Sequence, residues 1–98
     1  MPAELRGAPV AFAERTFRSR RLGLVAKVDR VYRTTSSIVL VEFKTRRQIA
    51  ARMTDIIEMS VQRLALAEET GLSVATIAWV VVQHARSGKR AAVRVPLL

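Results

Sequence analysis

IVLVEFK, the stretch from Ile38 to Lys44, is the clearest β-strand pattern in the chain and decides the fold. Side chains alternate between the two faces of a strand, so Glu42 and Lys44 follow two aliphatic residues on one face, while the other face is entirely apolar. Because both faces begin with aliphatic residues, we expect a central strand. Charges are rare on a buried strand unless something compensates them, which makes Glu42 and Lys44 candidate functional residues.

A hairpin is expected immediately before this strand. The segment from Leu22 to Arg33 is rich in Val and Leu, and the polar run from Thr34 to Ser37 suits a hairpin loop. An even loop centred on this run pairs residues whose numbers sum to 71, so that Val31 faces Leu40.

The same register places two like-charged pairs side by side. Asp29 faces Glu42, and Lys27 faces Lys44, with Cβ atoms about 4.5–5.5 Å apart. A divalent cation between the carboxylates and a phosphate beside the lysines would remove both repulsions, and Mg²⁺ accepts this kind of oxygen ligand set. The alternative is an exposed hairpin end whose charges form ordinary surface ion pairs, which contribute little to stability.

The rest of the chain predicts three further strands and one helix. Apolar residues recur at helical spacing from about Arg47 to Thr70, with Ile49, Met53, Ile56, Ile57, Leu64 and Ala67 on one side. Gly71 is placed to end that helix. The other expected elements are an irregular N-terminal arm (residues 1–11), an edge strand (Phe12–Arg18), a buried strand (Ser73–Gln83) and a last strand (Ala91–Val95). We therefore expect an α/β or α+β fold, with a mixed, mainly antiparallel sheet of about five strands and one long helix between strands three and four.

Charge and composition indicate the class of partner. The 98 residues carry 17 Lys and Arg against 8 Asp and Glu, a formal charge of +9, which favours a polyanion such as nucleic acid. No Cys is present, which excludes thiolate metal sites and disulfides and fits a reducing, cytoplasmic compartment. The longest apolar run, Ala75 to Val82, is far short of the ~20 residues that a membrane span needs, so no membrane partner is expected. The N-terminus has no long hydrophobic region or cleavage site, and secretion is not expected.

Three segments resemble a known family. Asp29, followed after twelve residues by Glu42-Phe43-Lys44, resembles the D…(D/E)-x-K signature of the PD-(D/E)XK nuclease superfamily. SRRLGLVAKVDRV and IVLVEFKTR resemble the strands around the active site of RecB-like nucleases and CRISPR adaptation exonucleases. QRLALAEETGLSV resembles their following helix, which opens with a functional Gln. The resemblance covers about Phe12 to Val95 and implies a restriction-endonuclease-like core.

The resemblance also implies residue roles. Asp29, Glu42 and the carbonyl of Phe43 would hold Mg²⁺ or Mn²⁺, Lys44 would be the catalytic lysine, and Gln62 would lie beside the site. The cysteine cluster, the upstream His and the N-terminal helix with a further Glu are absent, which leaves a minimal core that a homodimer or a partner protein could complete. A basic rim would contact DNA phosphates without reading sequence. Its expected members are Lys27, Arg46, Arg47, Arg52, Arg63, Arg20 and Arg21.

The sequence thus predicts a metal-dependent deoxyribonuclease acting in DNA repair, recombination, defence or mobile-element processing. Two alternatives remain open, namely a non-catalytic nucleic-acid-binding module of the same fold and a basic structural or assembly protein. The combination of Asp29, Glu42, Lys44 and Gln62 favours the nuclease, because a binding module has no use for paired carboxylates.

Overall fold

The computed structural model describes all 98 residues as an α+β fold with five strands and one α-helix. The prediction of a five-stranded mixed sheet with one long helix is confirmed. A short 3-10 turn, Ala3–Leu5, precedes the sheet. In chain order the elements are β1 (Val10–Ser19), β2 (Leu24–Arg33), β3 (Ile38–Arg46), α1 (Met53–Thr70), β4 (Ile77–His84) and β5 (Arg90–Pro96).

The strands lie in the sheet in the order in which they occur along the chain, β1-β2-β3-β4-β5. All neighbours are antiparallel except β3 and β4, which are parallel. A parallel pair needs a long crossover connection, and α1 provides it, lying after β3 and before β4 along the chain. The helix packs mainly against β1 and β2 and covers one face of the sheet. The order of the strands makes β3 the central one.

The hydrophobic core is divided by the sheet into two unequal parts. The larger part lies between α1 and the sheet and includes Phe17, Leu40 and Met59. The smaller part lies on the opposite face, where Leu5 packs with Tyr32, Val39, Val41 and Val81. The N-terminal segment, predicted to be an irregular arm over residues 1–11, contains one 3-10 turn, and β1 begins at Val10. Leu5 is only 2% exposed because it covers apolar sheet residues that α1 does not reach.

The helix is shorter than expected and its buried side differs from the predicted one. It begins at Met53 rather than near Arg47, and it ends as predicted at Gly71, whose φ of 70° is left-handed. Four residues assigned to the apolar side are exposed, namely Ile49 (40%), which precedes the helix, and Met53 (64%), Ile57 (50%) and Leu64 (41%) within it. The buried side combines apolar residues with polar ones, and its members are Asp55, Met59, Ser60, Gln62, Ala65 and Leu66.

The polar residues on the buried side of α1 are tolerated because each has a hydrogen-bond partner inside the protein. Asp55 accepts from Arg46, Ser60 donates to the carbonyl of Ile56, and Gln62 donates to Lys27 and Glu42. The Gln62 contacts tie the middle of the helix to β2 and β3 at the predicted site. The helix itself is not long and apolar enough to cross a membrane.

Candidate active site

The predicted hairpin register is confirmed, but the ladder between β2 and β3 is short. Arg33 pairs with Ile38 and Val31 pairs with Leu40, as expected from an even loop. The ladder ends at the pair Arg30 and Val41, one step before Asp29. The two like-charged rungs, Asp29 opposite Glu42 and Lys27 opposite Lys44, are therefore not formed as strand pairs, and that part of the prediction is wrong.

The ladder ends because β2 changes its alternation at Asp29. Val28 and Val31 both lie in the core under α1, although residues three apart should face opposite sides of a regular strand. On the other side of β2, Glu14 lies opposite Asp29 between two regular pairs and has a φ of 48°. This irregularity in two adjacent strands turns β2 away from β3 at the point where the carboxylates come together.

A side chain replaces the main chain where the ladder stops. The register would pair Phe43 with Val28, but the Phe43 N–H instead donates to Oδ2 of Asp29 at 3.0 Å. The N–H and carbonyl of one strand residue point to the same edge of the strand, so the Phe43 carbonyl also faces the gap beside Asp29. Asp29 and the Phe43 backbone, both predicted site members, therefore lie together.

Glu42 is the most perturbed ionisable group of the site. It is 4% exposed, and burial raises its pKa to about 8, with further contributions from the negative charges of Glu58 and Asp29. A hydrogen bond between the Glu42 and Asp29 carboxyl groups also raises this pKa. Glu42 is thus held in its protonated form close to Asp29, as expected for a carboxyl group that is buried near other carboxylates.

Gln62 holds Glu42 from the helix side. Its Nε2 donates to the carbonyl of Lys27 at 3.1 Å and approaches Oε2 of Glu42 at 3.4 Å. Gln62 is 2% exposed, so its amide has little contact with solvent. The position beside the site that the resemblance implied for Gln62 is therefore the one observed.

Lys44 lies at the solvent side of the same cluster and has a partner that the sequence analysis missed. Its Nζ is 3.8 Å from Oε2 of Glu58, and both side chains are partly exposed. Glu58 precedes Gln62 by four residues, so the two share one side of α1. That spacing was available in the sequence and could have identified Glu58 as a third carboxylate near the site.

The oxygen atoms of the site fit a hard divalent cation. Asp29 and Glu42 offer carboxylate oxygens and Phe43 offers a carbonyl, while no group of three or more His, Cys, Asp or Glu side chains is arranged to hold a metal. Mg²⁺ is commonly held by only one or two carboxylates and keeps several waters. A cation bound by Asp29 and Glu42 would offset the charge repulsion that raises the pKa of Glu42.

Arg46, predicted to contact DNA, is committed to another role. Its guanidinium makes a bidentate ion pair with Asp55 (one contact is 2.6 Å), and their side chains are 9% and 2% exposed. Arg46 also donates to the carbonyl of Ala50 at 3.0 Å. The hydrogen bond from Arg46 lowers the pKa of Asp55, which stays ionised. This pair fixes the loop between β3 and α1 and leaves little of the Arg46 side chain exposed for contact with DNA.

The other predicted basic residues are divided between two parts of the surface. Lys27, Arg47 and Arg52 are exposed on elements that adjoin the site. Arg63 instead donates through Nε to the carbonyl of Val74, in the segment leading to β4.

Arg20 and Arg21 lie in the turn between β1 and β2, at the opposite end of α1 from the cluster. Arg20 lines a depression with Glu68 and Glu69, and the Arg21 N–H donates to Glu68. Ten helical residues separate Glu68 from Glu58, which corresponds to about 15 Å along α1. The structure therefore does not bring these two arginines to the site.

No protein-family model and no curated protein matches this chain.

Proposed function

We propose that this chain is a Mg²⁺- or Mn²⁺-dependent nuclease that hydrolyses DNA phosphodiester bonds in the cytoplasm, in repair, recombination, defence or mobile-element processing. The observation that supports the proposal most strongly is the buried Glu42 carboxyl, with its raised pKa, beside Asp29 where the ladder between β2 and β3 ends. A buried carboxyl with a pKa of about 8 beside a second carboxyl destabilises the fold when ionised, and groups perturbed in this way cluster at functional sites. The resemblance of the Asp29, Glu42-Phe43-Lys44 pattern to PD-(D/E)XK nucleases suggests which function.

Each residue has a role that follows from its position. Asp29, Glu42 and the Phe43 carbonyl would hold the cation, which when bound activates a water molecule and neutralises charge on the phosphate. Gln62 keeps the Glu42 carboxyl oriented towards Asp29. Lys44 is partly exposed at the entrance, where its ammonium group can meet the phosphate.

Proton release accompanies the loading of this site. Glu42 is protonated below its pKa of about 8, and a carboxylate must lose its proton before it can bind a cation. Metal affinity should therefore rise with pH up to about 8. Lys44 assists the loss of this proton, because its positive charge lowers the pKa of Glu42. Burial and the neighbouring carboxylates have the larger, opposite effect.

The surface charge provides DNA affinity without sequence recognition. The formal charge of +9 and the exposed Lys27, Arg47 and Arg52 near the site would bind phosphates through a salt-sensitive interaction. The exposed Met53, Ile57 and Leu64 on α1 support the expectation of a homodimer or a partner protein that completes the DNA-binding surface.

The second candidate function is a non-catalytic nucleic-acid-binding module. A cavity on the sheet face opposite α1 favours it, because the guanidinium groups of Arg30 and Arg90 line that cavity and no carboxylate does. Binding would then need neither Asp29 nor Glu42.

A cleavage assay distinguishes the two functions. Purified protein is incubated with linear and circular DNA in Mg²⁺, Mn²⁺ or EDTA, together with the variants Glu42→Gln and Lys44→Ala. Glu4→Gln and Lys89→Ala are matched controls, because they make the same charge changes at exposed positions outside the site. We expect metal-dependent cleavage that both site variants reduce at least about 100-fold and both controls retain. Metal-independent cleavage, or equal cleavage by the site variants, contradicts the nuclease assignment, and tight binding without cleavage favours the second candidate.

A further inference from the structure

The sheet face opposite α1 is only partly covered. The N-terminal turn covers one part, where Leu5 packs against Tyr32 and Val41. Beyond that part, towards the C-terminal end of β3, lies a cavity of about 400 Å³. Arg30, Phe43, Gln83 and Arg90 line it, and we call this surface the Phe43 face.

The Phe43 face presents an aromatic ring from the central strand to solvent. Phe43 is 36% exposed, at a position where β3 has lost its pairing with β2 but still pairs with β4. The Arg30 guanidinium lies over this ring, 5.2 Å from its centroid, and Nη1 of Arg30 donates to the hydroxyl of Tyr32 at 3.2 Å. The hydroxyl holds the guanidinium in place beside the ring. Aromatic rings and arginine planes of this kind are surfaces on which nucleobases stack.

The charges around the ring are all positive. Arg30 and Arg90 contribute cations to the cavity, and no Asp or Glu lines it. Nε of Arg90 donates to Oε1 of Gln83 at 3.0 Å, which fixes the cation on the β5 side. Arg30 lies on β2 and Arg90 on β5, three strand spacings or about 14 Å apart. The aromatic ring thus lies between two cations, which suits a chain that carries both phosphates and exposed bases.

We propose that the Phe43 face binds single-stranded nucleic acid, with a base stacked on the Phe43 and Arg30 pair and a phosphate at Arg90. Duplex nucleic acid does not suit this face, because its bases are stacked on one another and present only their edges. The Phe43 side chain points to the opposite face of β3 from Glu42, so binding does not need the carboxylate cluster. If the chain is a nuclease, this face would give it a preference for single strands.

Binding in EDTA tests this inference separately from cleavage. Fluorescence anisotropy is measured with labelled dT15, rU15 and a 15-base-pair DNA duplex for the parent chain and its variants. Phe43→Leu removes the π face but keeps an apolar side chain and the backbone carbonyl, whereas Phe43→Tyr keeps an aromatic ring. Arg90→Gln removes a cation from the face, and Arg20→Gln makes the same change at the distant β1–β2 turn.

We expect dT15 or rU15 to bind more tightly than the duplex. Phe43→Leu should weaken single-strand binding at least about fivefold, because base stacking on an aromatic side chain contributes that much or more, while Phe43→Tyr should bind like the parent. Arg90→Gln should reduce the slope of log affinity against log salt by about 0.7, and Arg20→Gln should not. Equal or tighter duplex binding, or a Phe43→Leu affinity within twofold of the parent, would overturn the proposal whether or not the chain cuts DNA.

Discussion

Replacing Glu42 with Gln should stabilise the fold at alkaline pH and not at acidic pH. The side chains have nearly the same shape, and Gln can donate to Asp29 as the protonated Glu42 does. Folding raises the pKa of Glu42 from 4.5 to about 8, so the folded chain binds a proton that the unfolded chain has lost. The parent therefore loses stability as pH rises through this window, by about 1.4 kcal/mol for each pH unit.

The size of the effect follows from the width of that window. The largest loss of stability that this pKa shift allows in the parent is about 5 kcal/mol between pH 4.5 and 8. We expect the free energy of unfolding of Glu42→Gln to exceed that of the parent by at least about 2 kcal/mol at pH 9. For a chain of this size that corresponds to roughly 8–16 °C in melting temperature. Urea unfolding at pH 5 and pH 9, in EDTA, measures the difference directly.

Mg²⁺ should reverse the order of the two proteins at pH 9. It should stabilise the parent, whose ionised carboxylates can bind it, and leave Glu42→Gln nearly unchanged. Glu4→Gln provides the control for loss of one negative charge, and it should follow the parent at both pH values. A difference between parent and Glu42→Gln that is the same at pH 5 and pH 9 would refute the electrostatic reasoning.

Three further outcomes are expected. Arg46→Ala should lower the free energy of unfolding by about 3–5 kcal/mol, because it leaves Asp55 buried without its partner. The control Arg47→Ala should lower it by less than about 0.5 kcal/mol, and urea unfolding at pH 7 compares the two variants. Leu5→Ala should cost about 2–3 kcal/mol in the same assay, and no loss would show that the N-terminal turn does not pack on the sheet. DNA cleavage in Mg²⁺ should rise about tenfold per pH unit from pH 6 to 8, since Glu42 must be ionised, and a flat profile of initial rates would contradict this.

The hairpin and the central strand could be predicted because they depend on local sequence. The loop from Thr34 to Ser37 is closed by its own side chains, with the Thr34 N–H and Oγ1 both donating to the carbonyl of Ser37 at 2.9 Å. An even loop then sets the register, which places Asp29 and Glu42 near each other. Gly71 was equally predictable, since a left-handed residue commonly ends a helix.

The orientation of α1 could not be predicted from its periodicity. Its exposed side is as apolar as its buried side, so hydrophobic spacing does not distinguish them. The buried side is set by polar pairs between distant parts of the chain, such as Arg46 with Asp55 and Gln62 with Glu42. Those pairs depend on where the helix crosses the sheet, which the order of residues alone does not give.

The geometry of the Asp29 and Glu42 pair could not be predicted by counting residues from the hairpin loop. Counting from the loop predicted a regular rung between Asp29 and Glu42, but the strands separate one step earlier. The separation coincides with an irregularity in β1, where Glu14 adopts a positive φ between the residues that pair with Arg30 and Val28. A bend in a neighbouring strand leaves no mark on the residues of the hairpin itself.

Calorimetric titration with Mn²⁺ at pH 7 tests most directly the central claim that Asp29 and Glu42 hold a divalent cation. The account predicts one Mn²⁺ per chain, with proton release shown by different apparent heats in two buffers of unequal ionisation enthalpy, because Glu42 is protonated at this pH. Glu42→Gln should abolish binding, while Glu4→Gln should bind like the parent. No Mn²⁺ binding by the parent at millimolar concentration, or unchanged binding by Glu42→Gln, would contradict the claim.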